Sequence, residues 1–67
     1  MITIICNGEP RRLEGAMSVE QLVADLGLNP ETVVAEVDGR ILGREEYAAT
    51  QLRDGASLEL IRFVGGG

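Results

Sequence analysis

At 67 residues, with 45% hydrophobic side chains and 3% aromatic ones, the chain has material for one aliphatic core and not for a second. Six basic residues against eleven acidic ones leave a net charge of −5, which argues against a nucleic-acid or anionic-membrane surface and weakly favours a basic protein partner. With no histidine, no lysine and a single cysteine, Cys6, the chain lacks the parts for a structural zinc site, a Cys–His nucleophile pair, a P-loop or an internal disulfide, and no metal site is expected.

Ile2-Thr3-Ile4-Ile5-Cys6 is apolar and β-branched and reads as a strand. Asn7-Gly8 follows at once, a type I′ hairpin signal because both residues tolerate positive φ. The return strand is predicted from Glu9 to Glu14, with Pro10, which lacks a ladder donor, giving it an edge position or an irregular start. Ser18-Val19-Glu20-Gln21 is a capping box, and Val19, Leu22, Val23 and Leu26 recur at helical spacing. Gly27 stops this helix and Leu28 is placed to fold back on its last turn. Asn29-Pro30 precedes a third strand, Val33 to Val37, and Asp38-Gly39 turns it into a short extended piece, Arg40 to Leu42. Arg44 to Ala48 reads as one helical turn on the surface. Tyr47 is expected to cover the core edge with its hydroxyl outward. Asp54-Gly55 makes the last turn before a strand from Ser57 to Phe63.

Strands first, then one helix crossing to further strands, give an α+β fold with the layout of a β-grasp. The expectation is a mixed four- to five-stranded sheet with one main helix on one face. Residues 1–64 form this single domain and residues 65–67 a flexible tail. Within the sheet, Ile2, Ile4 and Cys6 fall on one side with Leu58 and Leu60, facing the helix. Ile5, Ile61 and Phe63 then fall on the other, an exposed apolar patch beside the tail and a candidate partner-docking surface. Cys6 reads as a small core hydrophobe. Arg44-Glu45-Glu46 reads as a solvated face. No stretch is long enough to span a membrane and no signal peptide is visible, so a cytoplasmic monomer is expected.

The fold leaves Gly65-Gly66-Gly67 unexplained. Three glycines cannot pack and lose the most entropy on ordering. One reading is a frayed end. The other is a strand without side chains that threads a narrow slot in an enzyme and brings the Gly67 carboxylate to a reaction centre there. A carboxylate becomes a good electrophile only after its oxygen is made a leaving group, as adenylation by ATP does. Sulfur attack on that acyl group leaves a thiocarboxylate.

The ending Arg62-Phe63-Val64-Gly65-Gly66-Gly67, the hairpin Asn7-Gly8 and the run Val37-Asp38-Gly39-Arg40-Ile41-Leu42-Gly43-Arg44-Glu45-Glu46-Tyr47 carry a resemblance that covers the whole chain. The sequence resembles the ThiS family, the ubiquitin-like sulfur carrier proteins of thiamine biosynthesis. The resemblance implies that the Gly67 carboxylate is adenylated by an activating enzyme related to ubiquitin activators, which consumes the ATP. The carboxylate then becomes a thiocarboxylate, the sulfur coming from a donor such as a cysteine desulfurase, and thiazole synthase receives it. It implies that Gly65 and Gly66 thread the partner's active site, and that the chain binds no cofactor and performs no catalysis. The third glycine departs from the minimum terminal pair and leaves open which two are essential. A Gly-Gly end is shared with the small subunit of molybdopterin synthase and with other sulfur carriers. From a different class, a ubiquitin-like modifier and an inert β-grasp interaction module fit the same layout.

Overall fold

A computed structural model of the chain describes residues 1–62. The expectations placed on Phe63, Gly65, Gly66 and Gly67 lie outside the described residues. The strands are β1 (Ile2–Cys6), β2 (Glu9–Leu13), β3 (Met17–Ser18), β4 (Val33–Val37), β5 (Arg40–Ile41), β6 (Gln51–Leu52) and β7 (Ser57–Arg62), with one α-helix, α1 (Val19–Asp25). Single 3-10 turns cover Pro30–Thr32 and Arg44–Glu46.

Local chemistry places the boundaries. Asn7 (φ 51°) and Gly8 (φ 82°) are both left-handed, as a type I′ turn requires, and they join β1 to β2 with Ile2 opposite Leu13 and Cys6 opposite Glu9. Helix α1 starts on the expected box: the Gln21 N–H donates to Ser18 Oγ at 3.1 Å and the Ser18 N–H donates to Gln21 Oε1 at 2.9 Å. It ends in a Schellman motif. Gly27 has φ 75°, its N–H donates to the Ala24 carbonyl, and the Leu28 N–H reaches back to the Val23 carbonyl.

The main sheet has the order β2-β1-β7-β4-β5, with β1 and β7 parallel and every other pair antiparallel. This is the expected β-grasp. Pro10 sits on β2, an edge strand, where a missing donor costs nothing. Val19, Leu22 and Val23 of α1 pack on Ile4, Leu58, Leu60, Val33 and Ala35, all buried on the helix side of the sheet. Two elements were not legible in the sequence. β3 and β6 pair antiparallel, Met17 opposite Leu52 and Ser18 opposite Gln51, and form a second, two-stranded sheet that ties the helix start to the loop before β7.

Two side-chain expectations need correction. Tyr47 is not at the surface with its hydroxyl out: it is 2% exposed. Its hydroxyl donates to the Val33 carbonyl at 2.6 Å and accepts the Ala35 N–H at 3.2 Å. Both groups lie on the edge of β4 that the two-residue β5 does not reach, so the phenol takes the place of missing ladder residues. Cys6 packs against the core as expected but is only half-buried, because it also lines the open groove between the β1–β2 hairpin and the end of α1.

Candidate functional site

β7 is the strand nearest Gly65–Gly67 in sequence, and its surroundings fix where its last residue, Arg62, stands. It lies between β1 and β4. On the β4 side the ladder runs from Val37 opposite Leu58 to Val33 opposite Arg62. On the β1 side it is short, Ile5 opposite Ser57 and Cys6 opposite Leu58, because β1 turns away at Asn7. Asn7 extends it in two ways. Its N–H donates to the Leu58 carbonyl at 2.9 Å, and its side-chain Oδ1 accepts the Leu60 N–H at 2.8 Å. The hairpin residue chosen for its left-handed backbone thus acts as a surrogate strand residue and holds β7 to within two positions of Arg62.

The outward face of the sheet carries the predicted docking residues. Ile61 is 54% exposed and Ile5 38%, and both point away from α1 as expected. The register does not bring them together. Ile61 stands beside Val34, whereas Ile5 stands beside Ser57, four residues earlier on β7 and roughly 13 Å away at the usual rise per residue. Between them Glu59 lies opposite Glu36, with Ile41 next in the same row. The face is therefore an Ile61–Val34 spot nearest the tail, a row of two carboxylates flanked by Ile41, and a separate Ile5–Pro10 spot. Val34 and Ile41 were missed. Alternation along Val33-Val34-Ala35 was the available signal for Val34. Phe63, the third predicted docking residue, lies outside the described residues.

Behind β7, on the helix side, a groove of about 300 Å³ opens between the β1–β2 hairpin and the end of α1. Leu26, Leu28 and Leu60 line its floor, and Arg11, Arg62 and Glu9 lie along its rim. The turn Arg44–Glu46, expected as a plain solvated face, is more ordered than that. The Arg44 guanidinium stacks 5.2 Å from the Tyr47 ring centre and pairs with Glu31 at 3.2 Å and Glu20 at 3.4 Å. The Gly43 N–H donates to Glu46 Oε2 at 2.9 Å and the Arg40 guanidinium to Oε1 at 3.0 Å. Together these hold the Glu46 carboxyl below the ordinary carboxylate range, the amide donor first. Among the described residues no group of carboxylates and Cys6 is arranged to hold a metal ion, and no helix is long and apolar enough to cross a membrane.

The profile of the ThiS family matches residues 4–67. The chain belongs to the ThiS family. Among curated ThiS-family relatives, the sulfur carrier protein ThiS of Bacillus subtilis is 34% identical over 50 residues, covering 75% of this chain and 76% of that one. A thiazole synthase of Paramagnetospirillum magneticum is 36% identical over 64 residues, which is 96% of this chain but 20% of that protein's length. The crystal structure of the thiamine biosynthesis protein ThiS from Geobacter metallireducens superposes with a TM-score of 0.85 at 33% identity, covering 98% of this chain and all of that one. The ThiS match includes Gly65–Gly67.

Proposed function

We propose that this ThiS-family chain is a sulfur carrier for thiazole formation in thiamine biosynthesis, a protein co-substrate and not a catalyst. The observation that carries the reading is the family match running through to Gly67, beyond Leu60, the last core residue among the described ones. A partner enzyme joins the Gly67 carboxylate to the α-phosphate of ATP and expels pyrophosphate. Hydrosulfide then displaces AMP at the acyl carbon and leaves a thiocarboxylate. Where the donor delivers the sulfur as a persulfide, the acyl disulfide formed as AMP leaves is cleaved by a thiol, which is oxidised to a disulfide, to the same product. Gly65 and Gly66 supply reach without side chains, so the end enters a narrow active site in the partner. The likeness to a fifth of a thiazole synthase chain supports an enzyme of that kind as the recipient. The Ile61–Val34 spot, with Phe63 two positions beyond Ile61, is the docking face for the activating enzyme, and the Ile5–Pro10 spot is a separate contact.

The test is the intact mass of the chain after incubation with ATP, an activating enzyme of the ThiS pathway and a sulfur donor. An oxygen-to-sulfur mass gain located on the peptide ending in Gly67 is the expected result. A chain that stays unmodified while the Bacillus subtilis ThiS is converted alongside it overturns the reading.

A further inference from the structure

The arginines of this acidic chain are unevenly employed. Arg40 and Arg44 are held by Glu46, Glu20 and Glu31. Arg11 and Arg62 make no ion pair among the described residues, and both stand on the rim of the same groove. Register explains the meeting. Arg11 lies opposite Ile4 and Arg62 follows Leu60 by two, so both side chains leave the helix side of the sheet. They do so where α1 has already stopped at Asp25 and its trailing Leu26 and Leu28 form a floor with Leu60. Glu9 is the one carboxylate on that rim. A molecule of net charge −5 thus gathers two guanidiniums, unpaired among the described residues, against one carboxylate over an apolar floor.

Size and main-chain geometry choose the occupant. A groove of about 300 Å³ lies at the bottom of the range for small-molecule pockets, about 300–1,000 Å³, and admits one or two side chains. The Leu60 N–H points to Asn7, so the N–H and carbonyl of Arg62, two residues on, point the same way, where β1 has already turned off. An extended segment lying there meets main-chain partners as well as the arginines. We propose that this groove docks an extended segment of a partner protein in which an apolar side chain is flanked by carboxylates. Arg11 and Arg62 hold the carboxylates, and the leucine floor takes the apolar side chain. The site lies on the opposite side of the sheet from Ile61.

The test titrates the full, ¹⁵N-labelled chain with a capped peptide of one leucine between paired glutamates, with its lysine twin, and with inorganic phosphate. The glutamate peptide is expected to shift the amide signals of Cys6, Leu28 and Leu60, less so as salt is added, and the lysine twin is not. Arg11→Glu with Arg62→Glu is expected to raise the apparent Kd at least about tenfold, since each exposed pair contributes modestly and reversal turns attraction to repulsion. Arg11→Gln gives an intermediate value, and both residues are exposed, so the fold is retained. The proposal is overturned if no signal moves at saturating peptide, or if the double variant binds equally. It is also overturned if shifts fall on Ile61 and Ile41, or if phosphate alone reproduces them.

Discussion

Tyr47 reaches from the end of a 3-10 turn to the uncovered edge of β4, where its hydroxyl answers one N–H and one carbonyl. Removing that oxygen leaves both groups buried and unpaired while the ring still packs. Tyr47→Phe is therefore expected to lower stability by about 1–3 kcal/mol in urea unfolding, with an unchanged native spectrum. A loss of only a few tenths would mean that water reaches this edge. Glu46 makes a prediction of the opposite kind, about pH. Its folded pKa is depressed by the Gly43 amide and Arg40, so the unfolded chain binds its proton more readily. The carboxylate's contribution is present in full above the ordinary glutamate pKa and is lost as pH falls through the lower folded value. Melting temperatures of the natural chain and Glu46→Gln should converge toward acid and separate toward neutrality. A constant gap across that range would show that the carboxylate is not paired in solution.

At the scale of elements, β7 divides its residues between two tasks by alternation. Leu58 and Leu60 are buried under α1 while Glu59 and Ile61 face outward. Leu60→Ala opens a cavity between helix and sheet and is expected to cost about 2–5 kcal/mol. Ile61→Ala should change stability by no more than about 0.5 kcal/mol, as exposed positions do, and should instead raise the KM of the activating enzyme for the carrier. Thermal melts and adenylation kinetics on the two variants separate the tasks, and an earlier melt for Ile61→Ala would reverse the assignment. α1 was legible to within a residue at both ends because Ser18, Gln21 and Gly27 act through hydrogen bonds to neighbours in sequence. β3 and β6 were not, since each is two residues long and has no periodicity to read. They exist only because Met17 and Leu52, 35 positions apart, are brought side by side by the rest of the chain.

For the whole molecule, the core among the described residues runs from Ile4 to Leu60, and the proposed reactive end lies beyond it in sequence. Deleting Gly66 and Gly67 should leave the circular dichroism spectrum and melting temperature unchanged and abolish ATP–pyrophosphate exchange with the activating enzyme. A truncated chain that still supports exchange would place the adenylated group elsewhere.

The features readable in advance are those whose cause is local. The Asn7-Gly8 and Asp38-Gly39 turns, the helix with its caps and the helix-facing sides of β1 and β7 all follow from residues within a few positions of one another. They sufficed for the β-grasp and for the family. What depended on strand register was not readable, because register compares residues that are distant in sequence. Hence Ile5 and Ile61, correctly placed on one face, proved to be separate spots divided by Glu59 and Glu36. Tyr47 turned inward only because β5 stops short and leaves β4 polar groups that must be answered. Arg11 and Arg62, 51 residues apart, share a groove only once β1, β7 and the end of α1 are assembled around it.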